Sequence, residues 1–306
     1  MERAASVAVG EAEPARSTER TDLLWPLAVS LVTLAYLPFL GEIVHRWRVD
    51  PYAGHGMFVP LYSAFLLWAD RHRLGAVPRC RMPGGALLVM GALALLAAGW
   101  WLDTIMLQGL SLVAAVAGLV LWAHGARRLR AAAFPIAFLL FMMPLPRSIV
   151  DALTLELQAF AAGFAGEVLS VLGVPHHRFG ITIELPRLTL EVAEGCNGLR
   201  FLMALVTLAA ALAQSTQRTP ARKVALVAFA VPLALLANAG RVAAVCLAAY
   251  YIGPQAAAGM PHHTIGKGVW ALALTPLLLA AVVLRRRGAT IHTERPSESL
   301  GEGKIN

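Results

Sequence analysis

The stretch EGCNGLRFLMALVTLAAALA, Glu194 to Ala213, sets a polar, glycine-flanked cysteine (Glu194-Gly195-Cys196-Asn197-Gly198-Leu199-Arg200) directly against an uncharged apolar run, Phe201 to Ala213. The run is long enough to cross most of a hydrocarbon layer, which a helix spans in about 20 residues. A thiol at the mouth of such a helix lies near the partial positive charge of its N-terminus, which favours the thiolate. This is an unusual place for an inert cysteine.

Working outward, the same apolar character dominates the chain. Of 306 residues 58% are hydrophobic and 14% charged, with mean hydropathy +0.65, more apolar than a soluble domain tolerates. Candidate spans fall at about Leu23–Val44, Gly56–Ala69, Gly84–Trp101, Ile105–Ala123, Ala131–Val150, Asn197–Ala213, Val224–Ile252 and Ile265–Leu284. The expected fold is therefore all-α: a polytopic transmembrane helical bundle of about eight spans, the second of them short. The first run is long, follows a mixed polar segment and has no small-residue cleavage site nearby, so it reads as an anchor rather than a cleaved signal. Residues 1–21 and 288–306 are polar or small and are expected to be disordered cytoplasmic tails. They flank one transmembrane domain, 22–287, whose active-site half is about 144–284, with no soluble second domain.

Charge orients the spans. With the N-terminus inside, the cytoplasmic loops carry Arg71, Arg73, Arg79 and Arg81; Arg127, Arg128 and Arg130; Arg218, Arg222 and Lys223; and Arg285, Arg286 and Arg287. Most of the net charge of +8 thus gathers on one side, where it fits anionic lipid headgroups and not nucleic acid. The other side then holds the loop His45–His55, the turn at Asp103, the stretch from Asp151 to Gly195 and the loop Gly253–Thr264. Cys196 falls at the outer end of the sixth span.

Two further groups arrive at the same depth. Asn238-Ala239-Gly240-Arg241 interrupts the seventh span, and a charge within a span costs at least about 2.5 kcal/mol on insertion scales, so it marks a functional interior by default. From Val224 the rise places Arg241 roughly 25 Å along the helix, near its outer end. Asn238, three residues earlier, shares its face. The loop Pro261-His262-His263-Thr264-Ile265-Gly266 brings histidine to the same boundary. Cysteine, arginine and histidine so placed permit thiol acyl transfer: a thiolate attacks a peptide carbonyl, histidine moves the proton to the leaving amine, and the guanidinium fork stabilises thiolate or oxyanion.

The plainer readings apply elsewhere. Cys246, five residues past Arg241, reads as a small buried hydrophobe pointing away from it, and Cys80 lies in a basic cytoplasmic loop, so neither a disulfide with Cys196 nor a metal-ligand spacing is expected. Arg241 can equally be structural, paired with backbone carbonyls or with Glu194. Glu194 can orient histidine or arginine, or cap the following helix. His176 and His177 read as a solvated loop. Asp151 to Gly173 reads as an amphipathic helix in the interface rather than a ninth span, because a further crossing upsets the charge bias of later loops. Ile181 to Val192 alternates apolar and polar residues and predicts a small outer-face hairpin hinged near Pro186 and Arg187, which delivers the chain to Cys196 and can bind extended substrate by strand addition.

Taken together, Val192-Ala193-Glu194-Gly195-Cys196-Asn197-Gly198-Leu199-Arg200, then Asn238-Ala239-Gly240-Arg241-Val242, then His262 followed by Gly266, resemble the exosortase/archaeosortase family of membrane-embedded cysteine transpeptidases. Tyr52-Ala53-Gly54-His55-Gly56-Met57-Phe58-Val59-Pro60-Leu61, the segment Leu66 to Arg71, Met143-Pro144-Leu145-Pro146 and Leu172-Gly173-Val174-Pro175 extend the likeness over about Asp22 to Leu284. The chain departs from the family at Asn197, often serine, and at Lys267, commonly aromatic. The resemblance implies cleavage of C-terminal sorting signals of exported proteins, each a Pro-Glu-Pro-type motif, a membrane helix and an Arg cluster, with products passed to a surface or exopolysaccharide acceptor. It implies an active site on the periplasmic side of the bacterial inner membrane and no cofactor. It assigns Cys196 as nucleophile, Arg241 as charge stabiliser and His262 as general acid/base, with His263 as the alternate and Glu194, Asn197, Asn238 and His55 in support. From another class, a transporter or flippase of a polysaccharide precursor, with Arg241 binding an anionic headgroup, also fits the composition. A plain intramembrane cysteine protease that releases its acyl-enzyme to water fits as well.

Overall fold

Proline and glycine decide where the apolar runs become helices. The computed structural model describes the backbone of residues 16–196, 198–257 and 259–293, and the side chains within 25–196, 198–257 and 264–286. Eleven helices and a three-stranded sheet lie among them. The chain divides into two compact units, one formed by residues up to Arg46 with Val59–Met143, the other by Trp47–Phe58 with the chain from Pro144 onward.

In the first unit, α1 (Arg16–Val49) is followed by α2 (Phe58–Ala69), α3 (Arg71–Ala76), α4 (Gly84–Trp101), α5 (Ile105–His124), α6 (Ala126–Ala131) and α7 (Ala133–Phe138). Helices α4 and α5 form a tight hairpin. A side chain at Gly85 would overlap the Trp122 backbone, and one at Gly118 would stand 2.9 Å from Val89, so small residues set the close approach, as is common where lipid tails supply no competing hydrophobic drive. Tyr36 on α1 is buried and donates to Ser111 Oγ at 2.9 Å, which in turn donates to the Gln108 carbonyl at 2.6 Å.

The second unit is built on α10 (Pro220–Tyr251), which packs against α8 (Arg147–Val171), α9 (Leu199–Thr216) and α11 (Gly259–Thr293). Pro220 stands in the first turn of α10, where its missing N–H removes no helical bond. Leu205, Ala209 and Ala213 of α9, Leu226, Ala230 and Ala234 of α10, and Leu277 and Ala281 of α11 form one buried cluster, each row four residues apart and so on one helix face. At the other end of α10, Ala239, Val242, Ala243, Cys246 and Ala249 meet Ala161, Ala162, Ala165 and Leu169 of α8, with Ile183, Leu185 and Val192 of the sheet.

Between α8 and α9 lie β1 (His177–Phe179), β2 (Thr182–Leu185) and β3 (Leu188–Glu191), antiparallel in that order. Leu185 opposite Leu188 leaves Pro186 and Arg187 as the turn, at the predicted hinge. His177 belongs to β1, which the alternation starting at Ile181 did not include.

The protein is an all-α polytopic bundle with this small sheet inserted before the Cys196 helix. Among the described residues seven helices are long and apolar enough to cross a membrane: Trp25–Val49, Gly84–Trp101, Ile105–His124, Arg147–Val171, Glu194–Thr216, Pro220–Tyr251 and Thr264–Arg286. Three segments differ from expectation. The second apolar run forms a helix of 12 residues, about 18 Å long and short of the roughly 30 Å core. The run Ala131–Val150 is broken: α7 gives way to a 3-10 turn at Leu139–Met142 and then to Met143-Pro144-Leu145-Pro146, where proline bars helix at the preceding residue and removes two donors. The segment expected to lie in the interface is α8, 25 residues long, with Gln158, Ala161, Ala162, Ala165, Gly166 and Leu169 buried on one side. Its amphipathic pattern is that of a helix packed through small residues. Helix α1 begins at Arg16 and α11 runs to Thr293, whereas 1–15 and 294–306, most of the expected tails, lie outside the described residues.

Candidate active site

Chain direction brings the candidate residues to one end of the second unit. Helix α8 runs into the sheet, α9 leaves from it, α10 returns after a short connection, and α11 starts again from the same end. Cys196 closes a 3-10 turn, Glu194–Cys196, in which its N–H donates to the Ala193 carbonyl at 2.7 Å. The turn precedes α9, whose N-cap is Gly198 with φ +85°, a left-handed conformation that disfavours any side chain. Space makes the same demand, for a Cβ at Gly198 would stand 2.7 Å from Asn238 Nδ2.

Asn238 is buried and donates from Nδ2 to the Cys196 carbonyl at 2.9 Å. Two further side chains from distant parts of the chain engage the same strip of backbone. Gln158 of α8, also buried, donates to the Val192 carbonyl, and the Tyr52 hydroxyl donates to the Glu194 carbonyl at 3.3 Å. Carbonyls 192, 194 and 196 are thus held by α8, by the Trp47–Phe58 segment and by α10. In a membrane-embedded setting an unmatched carbonyl is costly, so these bonds fix the path of the chain into Cys196.

Beside Cys196 lies a cavity of about 230 Å³, lined by Ile183, Leu190, Glu191, Val192 and Ala193 with Cys196, by Arg241, Val242, Val245 and Cys246 of α10, and by Ala257. Its walls are mostly apolar, and the charged residues among them are Arg241 and Glu191. Cys196 and Arg241 are both half-buried. Gly266 of α11 leaves room for the arginine: a Cβ there would lie 3.8 Å from Arg241 Cδ and 3.9 Å from Nη1.

One sequence reading is corrected here. Cys246 is buried as expected but lines the same cavity as Arg241 rather than pointing elsewhere. Positions 241, 242, 245 and 246 sweep about 140° of the helix at 100° per residue, and the cavity is wide enough to meet that whole arc. Glu194 is exposed, and the N-cap position of α9 is held by Gly198. The carboxylate sharing the cavity with Arg241 is that of Glu191.

His55 lies in a 3-10 turn, Gly54–Met57, half-buried in the segment that carries Tyr52 and packs against α9. Asn197 lies outside the described residues. The backbone of His262 and His263 belongs to the first turn of α11, one turn before Gly266, and their side chains lie outside the described residues. His176 donates from Nδ1 to the Val174 carbonyl at 2.9 Å, a local loop contact. Among the described residues no cluster of His, Cys, Asp and Glu is arranged to hold a metal ion. Gln158 was the residue sequence reading missed: it counted only as a polar interruption of an amphipathic run, although its position three residues before Ala161 on the small-residue face was the available sign.

A multi-pass membrane protein with a cysteine and an arginine converging on one small apolar cavity is the class that fold and site define. The model of the transmembrane exosortase family matches residues 47–279, three quarters of the chain, and the chain belongs to that family. Its role is accordingly of the membrane protease and transpeptidase type. No curated protein and no solved structure gives a significant match.

Proposed function

We propose that this protein is a cysteine peptidase and transpeptidase of the bacterial inner membrane, and that it removes the C-terminal sorting signal of exported proteins at a periplasmic-side site. The observation that carries the reading is the shared cavity of Cys196 and Arg241, reached from residues far apart in sequence. At about 230 Å³ it is smaller than the ~300–1,000 Å³ usual for pockets that enclose a whole ligand, and suits a side chain or two next to a scissile bond better than a lipid-linked sugar. Sidedness rests on charge. The far end of the second unit carries Arg218, Arg222 and Lys223 in the short α9–α10 connection and Arg285 and Arg286 at the end of α11, whereas the α10–α11 connection Gly253–Thr264 at the sheet end has no Lys or Arg. That asymmetry favours the sheet end as the non-cytoplasmic one.

In the chemistry proposed, the Cys196 thiolate attacks the carbonyl carbon of the scissile peptide bond. The negative charge passes to the carbonyl oxygen, within reach of the Arg241 fork, a cation at any working pH. Collapse expels the amine of the downstream helix, which takes a proton from His262, or from His263 in the alternate assignment, and leaves a thioester on Cys196. An acceptor hydroxyl, amine or water then gives its proton to the histidine, attacks the thioester and frees the thiolate. Apolar walls exclude water and strengthen the charge interactions.

The test is co-expression of a tagged reporter ending in Pro-Glu-Pro, an apolar span and an Arg cluster with wild type, Cys196→Ala, Cys196→Ser, Arg241→Lys, His262→Ala and His263→Ala. The mass of the reporter reads loss of the C-terminal helix. Processing is expected to vanish with Cys196→Ala and with one histidine change, and to survive the other. Normal processing by Cys196→Ala defeats the proposal and leaves the transporter reading in its place.

A further inference from the structure

The sheet has two edge strands, β1 and β3, and β3 is the one that leads to Cys196. Strand β1 pairs with β2 and β2 with β3, so β3 is an edge. The Val192 N–H donates to the Ile181 carbonyl at 3.1 Å, which sets the phase of the ladder. Antiparallel pairs alternate between bonded and non-bonded, so Leu190 and Leu188 turn their backbone groups toward Ile183 and Leu185. The N–H and C=O of Thr189 and Glu191 then face outward. Leu188 and Leu190 pack on the core of the unit, whereas Thr189 and Glu191 are exposed. Among the described residues no strand covers this edge. Neither lysine nor proline lies within Leu188–Glu191, and its one charged side chain, Glu191, stands at the end next to the cavity.

The edge also leads into the cavity. Leu190, Glu191, Val192 and Ala193 line it together with Cys196 and Arg241, whereas β1 contributes nothing. We infer that β3 binds the substrate polypeptide as an added fourth strand. This rests on the peptidase reading above. The occupant is the extended segment on the acyl side of the scissile bond, because the downstream segment is a membrane helix whose backbone groups are already paired within itself. Since β3 runs toward Cys196, a segment whose C-terminal carbonyl must reach that thiol lies parallel to β3. Its alternate residues bond Thr189 and Glu191, and the side chain next to the scissile bond enters the apolar cavity.

Parallel addition predicts a pattern of period two in the substrate. The test uses the full-length protein in lipid nanodiscs and a synthetic polypeptide carrying the Pro-Glu-Pro motif, an apolar span and an Arg cluster. Single amide-to-ester replacements are placed at each non-proline position over the six residues before the cleaved bond. Each ester removes one N–H while preserving the side chain. Strand addition is expected to lower kcat/KM roughly tenfold at alternate positions, with little change between them. A flat or non-alternating profile overturns it. The Cys196→Ala protein separates the two levels: if it still cleaves the parent polypeptide the peptidase reading falls, and if cleavage needs Cys196 but the profile is flat only strand addition falls.

Discussion

The hydrogen bond from Asn238 to the Cys196 carbonyl gives a sharp quantitative prediction. Replacing Asn238 with Ala deletes a donor 2.9 Å from that oxygen at a buried position. A neutral hydrogen bond contributes about 1 kcal/mol net, but a buried carbonyl left unmatched costs about 1–3 kcal/mol, and the removed amide also leaves space beside Gly198. The turn is expected to relax into that space. A displacement of about 1 Å in a reacting group costs on the order of 100-fold in rate. Asn238→Ala should therefore slow formation of the thioester by 10- to 100-fold, with a stability loss of only about 1–3 kcal/mol. Asn238→Asp preserves shape but sets an acceptor against an acceptor, so it should be no better. The assay is single-turnover cleavage of the reporter by protein in nanodiscs, with thermal unfolding followed in parallel. A rate within twofold of wild type for a folded Asn238→Ala protein refutes the idea that this bond positions the nucleophile.

Other consequences are checked on the same preparations. Gly198→Ala forces a side chain into φ +85° and against Asn238, and should cost about 2–3 kcal/mol in unfolding free energy and most of the activity, with partial recovery in the Gly198→Ala/Asn238→Ala double variant as the crowding is relieved. Gln158→Leu leaves the Val192 carbonyl unmatched and should lower the melting temperature together with the cleavage rate, whereas Glu156→Gln on an exposed part of α8 should change neither. Val245→Phe fills the cavity next to Arg241 and should raise KM for the reporter more than it lowers kcat, with a normal melting curve. Gly266→Val presses on the Arg241 guanidinium and should reduce cleavage, while Gly268→Val, where a Cβ meets open space, should not.

How far these features could be read from sequence depends on which force set them. Runs such as Gly84–Trp101 and Pro220–Tyr251 announce themselves because the hydrocarbon demands length and apolarity, both visible in composition. The hairpin was legible because alternation at Ile183, Leu185, Leu188 and Leu190 has a period that a helix does not share. Helix α8 was less legible because its packing face is Ala161, Ala162 and Ala165: small residues produce close helix contact but almost no hydropathy contrast. The break at Met143–Pro146 was masked by hydropathy, since proline in an apolar run does not lower the average even as it ends the helix. At the site, Cys196 and Arg241 stood out as chemically unusual for their positions, whereas Gln158 and Tyr52 act through ordinary hydrogen bonds to carbonyls, and no residue type advertises such a bond in advance.

The three donors to carbonyls 192, 194 and 196 bear on how such a protein is made. Residues 47–58 and α8 leave the ribosome before Cys196, but Asn238 follows some forty residues after it, on a helix that must itself enter the membrane. A chain whose insertion has reached α9 alone carries the cysteine in a turn held from two sides out of three. The thiol takes its final position when α10 arrives, and the same helix brings Arg241. The final geometry of the Cys196 turn and the Arg241 side chain are thus delivered in one insertion event, so that a partly inserted chain holds neither in place.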